Sequence, residues 1–297
     1  MHFSDGGLNF LRMFSQVDTK DPAMVELEVQ SRYRVMFPRG DRYFVPRVFG
    51  WAVNSFAGNH RDYQAIDARY HDFEHTLQGT LCMARLLHGR HEALAQPGLT
   101  RRTFELGMLA ILLHDTGYLK KRADTEVTGA KYTVTHVARS ADFAAELLGE
   151  KGFRPDEIKS VQNMIRCTGV NTDLNGIPFQ NEVEKLVGFA LGTADLLGQM
   201  AAEDYVAKLP VLYSEFAEAA RYSGRNSGSV GMFANAEDMM QKTPGFWANY
   251  VRNKIEVEFE GLYRFLNVPY PDGPNFYLQR IESHMARLRS QFAEAPA

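Results

Sequence analysis

Apolar residues recur along this chain at intervals of three and four rather than alternately, so the pattern predicts helices and leaves little room for strands. Over residues 70–87, Leu77, Leu81, Ala84 and Leu87 form one stripe at helical spacing. Residues 103–114 are apolar on nearly every side, which predicts a central helix buried all round. An amphipathic stretch over 133–148 ends at Gly149, and the next helix is expected to begin at Pro155, with Asp156 and Glu157 in its first turn, where the helix dipole favours carboxylates. A further helix over 182–200 turns Val183, Leu186, Val187, Ala190, Leu191 and Ala194 inward, and helical patterning resumes over 247–265 and 276–292. GVNTDLNGIPFQ (169–180) and SGRNSGSVG (223–231) read as loops, being rich in Asn, Gly and Ser. The expectation is an all-α protein, one helical domain over 1–297. Its core lies near 60–215, with flanking helices over 1–59 and 232–297.

Composition narrows the function classes. With a formal net charge of −3 the chain is nearly balanced, so neither a duplex nucleic acid nor a membrane surface is expected as partner. The longest apolar runs, such as 108–113, fall far short of the roughly 20 residues a membrane span needs. The opening MHFSDGGLNFLRMF lacks a basic segment followed by an apolar one, so no signal peptide is read there and a cytoplasmic protein is expected. Cys82 and Cys167 form no C-x-x-C pair and sit in helical strings, which suits buried thiols in a reducing compartment. Self-association into a homo-oligomer stays open.

The candidate chemistry lies in histidines and aspartates. His2, His60, His88, His91 and His284 have polar or terminal surroundings and are expected to be solvated. His71 and His75, four apart in YHDFEHT, share one helix face. His114 and Asp115 end the apolar helix in LGMLAILLHD, and His136 lies on the stripe of Ser140, Phe143 and Leu147. A lone histidine on an apolar face is most often a hydrogen-bonded core residue. Asp195 changes that weighting, because in GTADLLGQM it shares a stripe with Val187, Leu191 and Gly198, and a carboxylate there is costly without a compensating partner. With no Lys or Arg on that face, a cation is the natural partner, and imidazole with carboxylate suits a divalent metal.

The order His, then adjacent His-Asp, then a distant Asp resembles the HD superfamily of metal-dependent phosphohydrolases. The likeness is carried by EHTLQGTLCMARLL around His75, AILLHDTGY around His114 and Asp115, and GTADLLGQM around Asp195. It implies a helical fold in which His75, His114, Asp115 and Asp195 grip a divalent ion (Mn, Mg, Fe, Zn or Ni). YHDFEHT is also similar to the Y-H-N-x-x-H string of cyclic-nucleotide phosphodiesterases, relatives of that fold, which implies that His75 is a ligand and His71 the acid that protonates the leaving oxygen. The chain departs from the H-D-x-x-H string of those enzymes by carrying Tyr118 in the last position. His136 matches the first additional histidine of two-metal members, but Arg166, Cys167 and Thr168 stand where the second is expected, so a second metal site is incomplete. That gap also counts against the diiron oxygenases of the same fold.

The resemblance implies hydrolysis of a phosphate ester of a nucleotide or similar small anion, with Asp115 or Asp195 handling the attacking water. A catalytically silent metal- or ligand-binding regulatory protein is the alternative, and an iron oxygenase a lesser one. For the anionic substrate, Lys120, Lys121 and Arg139 are the candidate contacts, Arg139 standing one turn beyond His136; Arg122 extends the same basic run.

Overall fold

The computed structural model describes residues 17–223 and 233–293. Ten α-helices make up the described chain: α1 (Pro22–Met36), α2 (Phe44–Phe56), α3 (Phe73–Glu92), α4 (Arg101–Leu113), α5 (His136–Glu150), α6 (Pro155–Arg166), α7 (Glu182–Met200), α8 (Tyr205–Ser223), α9 (Ala236–Phe246) and α10 (Phe276–Ala293). Among the described residues there is no strand, only two isolated bridges, Tyr63 with Lys121 and Asn267 with Asn275. The all-α class is therefore what the helical periodicity required. No helix is long and apolar enough to cross a membrane among the described residues.

Short polar side chains start the helices by accepting the first free backbone N–H groups. Asp21 accepts from Ala23, Asp72 from His75, Thr100 from Thr103, Asn181 from Glu184 and Asn235 from Asp238. α6 begins at Pro155 with Asp156 and Glu157 in its first turn. The stretch over 133–148 starts later than its pattern suggests: residues 129–132 form a 3-10 turn, and α5 begins only at His136. The segment 169–180 is irregular apart from a single turn at Leu174–Gly176. The helical pattern over 247–265 is realised differently, as two π-helical turns (Trp247–Val251 and Lys254–Glu258) and a 3-10 turn (Leu262–Leu266). Of the segment 223–231, Ser223 closes α8 and the rest lies outside the described residues.

α4 is buried along its length from Phe104 to Leu113. It packs against α3, α6 and α7, with α2 and α5 also in contact, and so forms the axis of the assembly. Removing one of its side chains, as in Leu109→Ala, is expected to cost about 2–5 kcal/mol. One apolar cluster runs continuously from Val25 in α1 to Leu288 in α10. The most extensive helix pairing is α3 with α7, and small residues let these backbones approach closely. A Cβ on Gly198 would lie 2.7 Å from the Gln78 carbonyl oxygen and 2.8 Å from the Gly79 nitrogen, so only glycine fits there. That crossing brings the middle of α7 against the N-terminal half of α3 and the end of α4.

Candidate metal centre

Four side chains from three places in the chain meet at this crossing. Asp72 caps α3 through the backbone N–H of His75 at 2.9 Å, which sets His75 in the first turn of the helix. His114 is the C-terminal cap of α4, and its Nδ1–H donates to the Ile111 carbonyl at 2.7 Å, leaving Nε2 as a bare lone pair in the neutral ring. Asp115 follows directly, and Asp195 comes from the middle of α7. His75, His114 and Asp115 are buried, whereas Asp195 keeps a little of its side chain open.

His75 Nε2 lies 3.2 Å from Asp115 Oδ2 and 3.1 Å from Asp195 Oδ1; His114 Nε2 lies 3.3 Å from each of the same two oxygens. A divalent ion with ligands at about 2.0–2.2 Å sets neighbouring donors about 3.3–3.6 Å apart in a tetrahedron and about 2.8–3.1 Å apart in an octahedron. The observed separations of 3.1–3.3 Å fall between the two. His114 Nε2, Asp115 Oδ2 and Asp195 Oδ1 are buried and make no hydrogen bond. Buried polar atoms are nearly always satisfied, and three orphans converging on one point is the arrangement a cation resolves. His75, His114 and Asp195 form a group whose donor atoms all lie within 4.8 Å of one another and could hold a metal ion. Asp115 Oδ2, in contact with both imidazoles, fits as the fourth donor.

The electrostatics agree with that donor set. Burial opposes charge on His75, but contact with Asp115 and Asp195 outweighs it and raises His75 to about 9. Burial likewise opposes charge on His114, and the same two carboxylates raise it well above its ordinary value. Asp115 and Asp195 are pushed up by burial and pulled down more strongly by His114 and His75, ending below the usual carboxylate range. Protons and a divalent ion therefore compete for the same two imidazole lone pairs.

Around this cluster stand three rings. His71 Nδ1 faces Glu215 Oε2 of α8 at 2.6 Å, and the Tyr70 backbone N–H donates to the other Glu215 oxygen at 2.7 Å. Burial raises the Glu215 carboxyl, but His71 beside it brings it below its ordinary value. His136 Nδ1–H donates to the Thr133 carbonyl at 2.6 Å, and its Nε2 stands 3.9 Å from Asp115 Oδ1, at the rim rather than inside the cluster. Tyr118 packs against both histidines, its ring 4.5 Å from His71 at 12° and 4.7 Å from His136 at 22°, and the two imidazoles lie 6.2 Å apart. Its hydroxyl is buried without a hydrogen-bond partner.

Of the basic residues, Lys120 and Arg139 are engaged within the protein. Lys120 is buried, pairs with Asp67 at 2.9 Å and donates to the Val127 carbonyl at 2.6 Å. Arg139 donates to the Gly117 and Leu119 carbonyls at 2.7 and 2.8 Å and lies 3.5 Å from the centre of the Tyr132 ring. Arg122 donates to the Gly58 carbonyl at 2.8 Å. Lys121 stands exposed over the Tyr63 ring. Lys120 and Arg139 thus hold the loop after the His-Asp pair together instead of reaching toward the cluster. Cys167 sits in the core against Gly188, its thiol pushed up to about 12 by burial, and does not join the donors. Nor are His60, His88 and His284 solvated. His60 packs on Phe143, His88 meets Arg32 at 3.1 Å, and His284 Nδ1–H donates to the Met200 carbonyl at 3.0 Å. Glu215 is the residue that sequence reasoning missed. The carboxylates nearest His71 in the chain point elsewhere, Asp72 to the cap of α3 and Glu74 to Lys208 at 3.0 Å.

No curated protein matches this chain. Residues 122–267, a little under half of it, match the model of the Npun_R2479-like family. The matched stretch contains His136, Asp195 and Glu215, while His71, His75, His114 and Asp115 precede it. It is to that family, over that stretch, that the chain is similar.

Proposed function

We propose that this protein is a metal-dependent phosphohydrolase of the HD type, acting on a phosphate ester of a nucleotide or similar small anion. The observation that carries the reading is the convergence of two imidazole nitrogens and two carboxylate oxygens, three of them orphaned, beside a histidine held by a buried carboxylate. His75, His114, Asp115 and Asp195 would hold the ion; Asp115 and Asp195 supply the two negative charges that balance it. A divalent ion there supplies a Lewis acid for the phosphoryl oxygens and lowers the pKa of water from about 15.7 toward about 7. Asp115 keeps Oδ1, on the side of His136, to orient the attacking water and take its proton. Glu215 receives the Nδ1–H of His71 and fixes that ring, so that Nε2 carries a proton to the departing oxygen.

The test is metal analysis of the purified protein, followed by assay against p-nitrophenyl phosphate, bis-p-nitrophenyl phosphate and a nucleotide panel before and after chelation. Turnover lost on chelation and restored by one divalent ion supports the reading; chelator-resistant turnover removes it. A second reading rests on Lys120 and Arg139, whose charges are already occupied within the protein. A centre whose nearby Lys120 and Arg139 are so engaged suits a regulatory, metal-binding protein. Stoichiometric metal without turnover on any of these substrates would select it.

A further inference from the structure

We propose that Glu218 of α8 is a positioning residue for the acid step, acting on His71 and His136 through the turn at 127–129 and the Tyr118 ring. The inference rests on the function proposed for the centre and extends it to a side chain that grips this turn.

α8 supplies none of the four metal donors, yet one of its stripes holds what surrounds them. Glu215, Glu218 and Tyr222 follow at helical spacing on that face. Glu215 holds the His71 ring and the Tyr70 backbone. One turn further, Glu218 Oε1 accepts from the Thr128 backbone N–H at 2.8 Å and from the Thr128 hydroxyl at 2.6 Å. The Tyr222 ring meets the Lys131 ammonium at 4.9 Å. A single helix face thus grips the acid histidine at one level and the segment 128–131 at the next.

The turn that Glu218 grips is strained. Val127 has a φ of +28°, a conformation that a β-branched residue adopts only where its surroundings impose it. Three side chains do so. Lys120 Nζ donates to the Val127 carbonyl at 2.6 Å, Glu218 takes both Thr128 donors, and Asp67 Oδ1 accepts from the Gly129 N–H at 2.7 Å. Lys120 and Asp67 are paired with each other at 2.9 Å, and Glu218 is the anchor that α8 supplies.

Direct contact couples the turn to the rings. Gly129 lies so close to Tyr118 that a Cβ there would overlap the Tyr118 carbonyl oxygen, so a shift of the turn moves Tyr118. The Tyr118 ring packs on His71 and His136. The 3-10 turn that starts at Gly129 leads into Thr133, whose carbonyl holds His136 Nδ1–H. Strain of this kind collects where a site needs its side chains fixed in advance. A general acid must stand within hydrogen-bond reach of the departing oxygen, and a misplacement of about 1 Å can cost about 10²-fold in rate.

The experiment compares the full-length wild type with Glu218→Ala, Glu218→Gln and Thr128→Val. It reads metal content, kcat on bis-p-nitrophenyl phosphate and on the best nucleotide of the panel, and the imidazole ¹H–¹⁵N signals of His71 and His136 in chelator. In Glu218→Ala, metal content should stay at the wild-type level and kcat on the nucleotide should fall about 10–100-fold, the range for outer partners of a site. The p-nitrophenyl diester should lose much less, and both imidazole signals should move. Glu218→Gln keeps an oxygen for the two Thr128 donors and should restore rate and signals. Thr128→Val removes one of the two bonds and should act in the same direction by less, which decides the matter if Glu218→Ala does not fold. The proposal is overturned if the two signals stay in place in Glu218→Ala and Thr128→Val, or if Glu218→Gln behaves as Glu218→Ala does. A loss equal on both substrates, as general destabilisation would give, overturns it too. A wild-type protein without turnover would remove the function proposed for the centre, and the imidazole signals would then decide the positioning role alone.

Discussion

Two buried carboxylate clusters of this protein resolve the same physical problem in opposite ways. Glu105 on α4 is buried, and both its oxygens are satisfied: Tyr33 donates at 2.7 Å, Arg102 at 3.0 Å, and Arg101 stands at 3.6 Å. At the other end of the same helix, Asp115 shares its surroundings with Asp195 and two histidines, all within 3.1–3.3 Å of a partner, yet three of the four inward-facing atoms make no hydrogen bond. Burial of charge is tolerated only with compensation. Around Glu105 the protein supplies it from its own side chains. At the His-Asp cluster the donors are aimed at a common point between them, where a bound cation would supply it.

The comparison breaks most visibly on removal of each carboxylate. Asp195→Ala is expected to take the protein from about one bound divalent ion to none, since a buried site loses a charged donor that nothing replaces. Glu105→Ala should retain the ion and instead lower stability by about 1–3 kcal/mol, because it strands the Tyr33 hydroxyl. Metal content and denaturant unfolding on both variants check the pair. Equal metal loss in the two would show that the cluster is no more specialised than an ordinary buried ion pair.

The next effect is kinetic. His71→Ala should leave metal content intact and lower kcat by about 10²–10⁴-fold, the range for loss of a general acid. Substrates with p-nitrophenolate as leaving group should lose much less, since their oxygen departs without a proton. Glu215→Gln acts on the same step through His71, and an outer partner that orients an imidazole is worth about 10–100-fold. A loss in His71→Ala that is equal on good and poor leaving groups would remove His71 from the acid role.

A third consequence concerns pH and has opposite signs with and without the ion. In chelated protein the raised value of His75, about 9, means that its charged form adds stability that is fully present below the ordinary value near 6.5 and is lost as pH rises through about 9. Binding of the ion requires the neutral imidazole, so metal affinity should rise with pH over the same window. Titration of a chelated sample with Mn²⁺ at several pH values reads the second effect, and thermal unfolding in chelator reads the first. Affinity that falls with pH would contradict the assignment of His75 as a donor. The smallest effect is at Tyr118. Its buried hydroxyl has no partner, so Tyr118→Phe should be neutral or stabilising by up to about 1 kcal/mol, with the stack on His71 and His136 kept. A clear destabilisation would mean that the hydroxyl is hydrogen-bonded in solution.

What could be read from the chain depended on how local each feature is. The helices were legible because burial imposes a 3.6-residue period, and α4, apolar all round, announces its place at the centre. The meeting of His75, His114, Asp115 and Asp195 was legible because each stands at the end or on the apolar stripe of a helix that has to be inside. Glu215 was not, since it lies 144 residues from His71 in a helix whose other acidic residue, Glu218, looks alike in sequence. Nor could the roles of Lys120 and Arg139 be told from their neighbours, because a lysine bound to Asp67 and one awaiting a phosphate have the same sequence context. The π-helical turns after α9 were hidden for a related reason: an i→i+5 winding shifts the period too little over five residues to show in the pattern.

The most direct test of the account is an anomalous-scattering map from crystals grown with Mn²⁺. The account predicts one peak at about 2.0–2.3 Å from His75 Nε2, His114 Nε2, Asp115 Oδ2 and Asp195 Oδ1 together. A map with no peak among these atoms, and with Asp195 paired to the two imidazoles alone, would contradict it.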